Sequence, residues 1–152
     1  MIGVSPGIEL VILHMCTVDP PANFVSDLVA AAATHNLDPL LLAAVVVTET
    51  RCNSDAVGAA GEIGLMQIHP GTWQAQEYNA DKLHSCTGLT WSDGHDPAQN
   101  MLIGGWILST AINTMRGDVR RGLALYNGYS EQGLRYADKV LTRYNAAKRQ
   151  HP

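Results

Sequence analysis

The first fifty residues contain no lysine and no arginine; the first basic side chain is Arg51. Charged residues are scarce overall, 16% of 152, while 46% are hydrophobic, which is too apolar for a disordered chain. Yet no apolar run reaches the length of a bilayer span, so stable membrane insertion is not expected. The bases that exist crowd the far end, where residues 101–152 hold eight against three acidic residues. Such an end suits an anionic polymer, or is simply a solvated helical face. Phosphate loops, nucleotide fingerprints and Ser-His-Asp arrangements are all missing, and nothing points to nucleic acid. Cysteine is sparse and odd in number: Cys16, Cys52 and Cys86. A Cys52–Cys86 bridge is one option in an oxidising compartment, and free buried thiols are the other.

The N-terminus does not read as a secretion signal. Ile8–Cys16 is apolar but includes Glu9 and His14, no base precedes it, and no small-residue cleavage site follows. Ile8–Cys16 reads as a short helix or a strand, closed by Asp19-Pro20-Pro21, and residues 1–22 are expected to dock on a body formed by 23–152. Helix signals then recur. Asn23 opens a segment to about His35 with Phe24, Leu28 and Val29 as its apolar face. Asp96-Pro97 opens one to about Met115, Asp118 one to Asn127, and Ser130-Glu131 a last one striped by Leu134, Val140, Leu141 and Tyr144. Between them, residues 78–95 are irregular. His84, Cys86 and His95 lie there, but not at the spacing of a standard zinc site, so neither metal nor cofactor is expected. The fold class is mainly α: one domain of six to eight helices, with at most a small β element near the glycine-rich loop.

The most informative stretch runs from Asp38 to Trp73. Asp38 suits an N-cap and Pro39 the first helical position, and Leu40–Val47 has no polar side chain, so this helix is expected to be buried all round. Glu49 arrives at its C-terminal end, with Val46, Val45 and Leu42 three, four and seven positions earlier. Desolvation and the negative end of the helix dipole both disfavour its ionised form. That prepares a carboxylic acid to donate a proton near neutral pH. Gly58, Gly61 and Gly64 follow, where backbone can approach the acid's helix or a ligand closely.

The order of these parts resembles the soluble lytic transglycosylases and the related goose-type lysozymes. The resemblance is carried by Glu49, Gly61, Gly64, Leu65, Met66, Gln67, Ile68, Pro70 and Thr72. It extends through Asp96, Pro97, Asn100 and Gly104, through Ala124, Tyr126 and Asn127, and through Tyr136 and Val140. It implies a lysozyme-like domain that acts, without cofactor and as a monomer, on peptidoglycan glycan strands of the bacterial wall. The family's chemistry needs one carboxyl. The acid protonates the glycosidic oxygen while the N-acetyl group of the muramic sugar attacks its own anomeric carbon. The same residue then deprotonates the C6 hydroxyl, which closes a 1,6-anhydro ring. Glu49 matches that acid. The resemblance puts Gln67 and Met66 on the cleft floor and Tyr126, Asn127 and Tyr136 along its walls, with Met66 also suited to the core. Trp91 is a sugar-stacking candidate, Trp106 reads as core, and Trp73 is open to either. With no leader recognised, a phage lysin released at lysis or carried in the virion fits best.

Departures from the pattern matter. Many of these enzymes carry a serine where this chain has Gly58, and the goose-type lysozymes carry aspartates where it has Gly58 and His69. Losing both aspartates argues against plain hydrolysis. Glu62, in place of a common alanine, is a second carboxylate that keeps the hydrolytic muramidase as an alternative. A silent peptidoglycan-binding or virion-structural module is the other alternative, and retention of Glu49 speaks against it.

Overall fold

The structure, a computed structural model, describes residues 3–70 and 94–151. Six helices are present among them: α1 (Pro6–Met15), α2 (Phe24–Thr34), α3 (Pro39–Thr50), α4 (Pro97–Thr114), α5 (Val119–Asn127) and α6 (Glu131–Gln150). Ile8–Cys16, left open as helix or strand, is helical. The β content among the described residues is two isolated bridges, Val57–Ile63 and Ile63–Ile68, in the glycine loop. None of these helices is long and apolar enough alone to cross a membrane.

The punctuation residues act as expected in four cases. Asp38 accepts from the backbone N–H of Leu40, Asp96 from Gln99, Asp118 from Arg121 and Ser130 from Gly133. Each satisfies an N–H that helix geometry leaves without a partner. Asn23 departs from the expectation. It sits in the left-handed region (φ 61°), and its side chain makes no cap bond.

Helix α3 is the axis of the core. Every residue from Leu40 to Val47 is buried, because α1, α2 and α6 all pack on it. Helix α6 is fastened along it by polar bonds at three levels. Tyr144 Oη donates to Asp38 Oδ2 (2.7 Å), Arg143 to Thr48 Oγ1 (2.9 Å) and Tyr136 Oη to Glu49 Oε2 (2.8 Å). Helix α1 ends beside the C-terminus of α3, which places Cys16 against Cys52 in a disulfide. This corrects both sequence expectations for Cys52, a bridge to Cys86 or a free thiol. The partner was set by how α1 docks, which no local pattern reveals; Cys86 lies outside the described residues. Closing a loop of 36 residues stabilises the fold by roughly 3–4 kcal/mol on the chain-entropy argument.

Chain 56–68 is irregular and needs partners for its backbone. Asn100, fully buried on α4, supplies several of them. Its Oδ1 accepts from Met66 N (2.9 Å), and its Nδ2 donates to Ile63 O (3.0 Å) and Gly94 O (2.8 Å). Gly64 is glycine because its φ is +74° and because a Cβ there would collide with the Asn100 amide. Gly104, one turn along α4, leaves room for the Met66 side chain in the same way. Replacing Asn100 by Ala strands those three backbone groups, and is expected to cost about 3 kcal/mol, or roughly 6–12 °C in Tm. Thermal denaturation of the variant measures this; a shift under 2 °C would mean that the loop does not depend on that amide.

Candidate active site

Glu49 is held at the end of the buried helix and half-buried itself. Burial pushes its carboxyl up from 4.5 to about 7. The bond from Tyr136 opposes that rise, because a donor favours the charged form, and the negative field of Glu62 adds to it. Desolvation is the largest effect, so the acid is half-protonated near neutrality. Tyr136 also orients it. With Oε2 accepting from the phenol, Oε1 is the oxygen left to carry the proton.

The acid opens into a cavity of about 580 Å³ lined by Gly58, Glu62, Gln67, His69, Tyr126 and Asn127 among others. Six of the eight residues singled out from sequence therefore meet here: Glu49, Glu62, Gln67, His69, Tyr126 and Asn127. Tyr136 is buried behind the acid and reaches it from α6. Of the two places the sequence left open for Met66, cleft floor or core, it takes the core. Its side chain is fully buried under Gly104, where it packs in the core and cannot touch a ligand. The motif puts Gln67, not its neighbour, on the surface of the floor, because Gln67 turns through φ 50°.

The floor's polar groups have restricted roles. Gln67 Nε2 donates to Ala56 O (3.1 Å) and Gly64 O (3.1 Å), which uses both its N–H bonds. Oε1 remains, an acceptor for an N–H or O–H in the cleft. Tyr126 Oη donates to Met66 O (2.7 Å), so only its lone pairs face the cavity. Burial and the Glu49 charge both push that phenol well above its usual range. The glycines approach neither α3 nor empty space alone. Glu62 folds back over Gly58, with Oε2 accepting from Ala60 N (3.1 Å), and a Cβ on Gly58 would overlap both Glu62 and Gln67. Positions 58 and 62, both singled out in the sequence, are therefore adjacent in space.

Trp106 is buried with Ile68, Ile103 and Ile107, as expected of a core residue. Trp73, Trp91, Thr72, His84 and Cys86 lie outside the described residues. Sequence reasoning missed a second cavity of about 470 Å³ that shares Glu49 and Asn127 with the first. Arg51, Arg135, Lys139 and Arg143 line it. The signal was available: 135, 139 and 143 repeat every four residues and so share one face of α6.

Comparison with known proteins gives three concordant results. Residues 28–150 match the transglycosylase SLT domain family. Over 103 residues the chain is 35% identical to a transglycosylase of Enterobacteria phage PRD1, covering 68% of this chain and 34% of that protein. It thus spans about a third of the length of that relative. The X-ray structure of an inactive mutant of the lytic transglycosylase Slt from Pseudomonas aeruginosa superposes with a TM-score of 0.68. That match covers 82% of this chain and 24% of the other, and at 19% identity it speaks for the fold alone.

Two measurements test the electrostatics. Glu49 has a folded pKa of about 7 against 4.5 when free, so below pH 4.5 it is neutral in both states. From pH 4.5 to 7 the unfolded chain gains charge that the folded one resists, and stability falls as pH rises. Above pH 7 the penalty is constant, at most about 3 kcal/mol. Glu49→Gln removes it. Chemical denaturation is expected to find the variant's advantage over wild type growing between pH 4.5 and 7.5, and an equal difference at both pH values would contradict a desolvated acid. Tyr136→Phe removes the one bond that favours the carboxylate. The Glu49 titration, followed by carbon-13 NMR, is expected to move to higher pH, and no movement or a fall would show that the phenol does not set it.

Proposed function

From the membership of this chain in the transglycosylase SLT domain family, and from the cleft around Glu49, we propose a peptidoglycan lytic transglycosylase that cuts between N-acetylmuramic acid and N-acetylglucosamine. The observation that carries the reading is the acid itself: a carboxyl held protonated to about pH 7 by its apolar helix, with one oxygen fixed by Tyr136. Residues 23–152 would form the catalytic body and residues 1–22 a segment docked on it.

In the proposed reaction the Oε1 proton passes to the glycosidic oxygen as the C1–O bond breaks. The acetamido oxygen of the muramic sugar attacks C1 and holds the positive charge as an oxazolinium. Glu49, now a carboxylate, takes the proton of the C6 hydroxyl, whose oxygen displaces the acetamido group from C1. The acid is regenerated and no water is consumed. Gln67 Oε1 accepts from a sugar hydroxyl or amide. The Glu62 carboxylate, lying where a serine side chain would project from position 58, accepts from the acetamido N–H and turns its oxygen toward C1. Tyr126 and Asn127 line the opposite wall.

The Cys16–Cys52 disulfide suits the oxidising space in which the bacterial wall lies. With a phage protein as its 35% identical relative, a phage-borne lysin is the source we favour.

A second reading keeps Glu62 as a base that activates water, since its carboxylate faces the same cavity as Glu49. Product masses separate the two. Digestion of purified glycan is expected to release muropeptides lighter by one water than reducing sugars, and full-mass products would establish hydrolysis instead. Glu49→Gln is expected to lower the rate by at least about a hundredfold with the fold intact. Near-normal turnover in that variant would remove the acid from the mechanism.

A further inference from the structure

Two successive peptide groups of the cleft floor are held by three different helices. The Met66 N–H is bound by Asn100 of α4 (2.9 Å) and the Met66 carbonyl by Tyr126 of α5 (2.7 Å). The Leu65 carbonyl, on the far side of the same peptide as the Met66 N–H, accepts from Thr50 Oγ1 of α3 (2.9 Å). Among the described residues this is the one hydrogen bond that joins residues 63–68 to the helix carrying Glu49. Thr50 Oγ1 also lies 3.2 Å from Val46 O, one turn back in its own helix. A hydroxyl has a single proton, and a helical threonine commonly spends it on the carbonyl four residues earlier. Thr34, Thr48, Thr114 and Thr142 do so, and among the described residues their hydroxyls donate nowhere else. Thr50 has a second acceptor, and the loop carbonyl is the nearer of the two.

We propose that Thr50 is a positioning residue, whose hydroxyl ties the cleft floor to the acid's helix and so fixes the distance from the Glu49 carboxyl to Gln67. The inference rests on the transglycosylase reading and adds a residue to it. Thr50 is not among the residues lining either cavity at Glu49, so it acts through its neighbours and not on a ligand. The route is short: Thr50 follows Glu49 directly, and Leu65 precedes Gln67 by two residues. Neither side of the bond is held firmly by its own element. Helix α3 stops at Thr50, where Arg51 and Cys52 take left-handed φ of 56° and 75°, and the loop has only isolated bridges. Leu65 and Met66 do share a hydrophobic core with α3. Apolar contact is non-directional, however, and leaves sliding of one surface on the other unopposed, whereas a hydrogen bond resists it. Asn100 and Tyr126 register the floor against α4 and α5; Thr50 registers it against the acid. Reacting groups misplaced by about 1 Å can lose about a hundredfold in rate.

The test replaces the hydroxyl and follows turnover of purified glycan strands well below the melting temperature of each variant. Thr50→Val, nearly the same shape without the donor, is expected to lower kcat about tenfold or more while KM stays within about twofold. Thr50→Ser, which keeps the donor, is expected to hold kcat within about threefold of wild type. The Glu49 titration in Thr50→Val, followed by carbon-13 NMR, is expected to stay where it is in the wild type, because the acid's dry surroundings come from α3 and Tyr136. A Thr50→Val protein that melts earlier but keeps its kcat has lost only a structural contact, and overturns the proposal. So does a titration displaced by about one pH unit, since the hydroxyl would then act on acidity and not on position. Should Thr50→Val fail to fold, Thr50→Ala and Thr50→Ser decide: Ala is expected to be slow and Ser fast, and a Ser variant as slow as Ala overturns the role of the hydroxyl. Wild-type kcat in Thr50→Val leaves the transglycosylase reading standing. A wild type that cuts no strands removes both.

Discussion

The cleft depends on one buried amide. A floor made of irregular backbone is useful because it can present Gln67 and Gly58 edge-on to a ligand, but such backbone is unstable in a core unless its polar groups find partners. Asn100 meets that need from a neighbouring helix, with both ends of its side chain engaged. The glycines of the motif are consequences of the same constraint. Gly64 gives the amide room to enter, and Gly104 gives Met66 room beneath it. Met66 is then held at both backbone ends, its N–H by Asn100 and its carbonyl by Tyr126. Gln67, the next residue, has its left-handed φ imposed by neighbours that cannot move independently. One knot therefore fixes the floor, the start of α4 and the end of α5 together.

Glu49 sits within that frame as a deliberate instability. The helix that carries it is apolar on all sides, and removing water from a carboxyl disfavours its charge more than the Tyr136 bond restores it. A fully solvated carboxyl would be ionised at neutral pH and useless as a donor. A fully buried one without Tyr136 would stay protonated too firmly for the return step of the proposed reaction. The two opposed effects leave the group near 7, where either role is within reach. At its other end α3 is anchored by Asp38, which caps it and binds Tyr144.

What could be read from the sequence followed the range of the forces involved. Asp38, Asp96, Asp118 and Ser130 act on N–H groups two or three residues away, and their helices were legible. The buried face of α3 and the raised pKa of Glu49 followed from eight apolar residues in a row. The motif GLMQI signalled a cleft floor but not which of its side chains face the cleft. That depended on the turn at Gln67 and the pocket at Gly104, and Met66 was left open between floor and core for this reason. The Cys16–Cys52 bridge was out of reach because it is decided by the docking of α1, an element whose very type was ambiguous. Asn100 was visible as a motif residue with no stated role. Its function appears only once the three carbonyl and N–H groups around it are assembled.

The arrangement of charge raises a last question: why four cations beside Glu49 do not ionise it. An unscreened positive charge at short range would pull the carboxyl down and undo the effect of burial. Burial, Tyr136 and Glu62 dominate its titration instead. The reason is dielectric. All four cationic side chains extend into solvent from the rim, where water attenuates their field over short distances. Tyr136, itself buried and uncharged, is the α6 side chain in contact with the carboxyl. The acid thus experiences the dry environment of its helix. A dry carboxyl and an exposed cationic face thus share one end of the molecule.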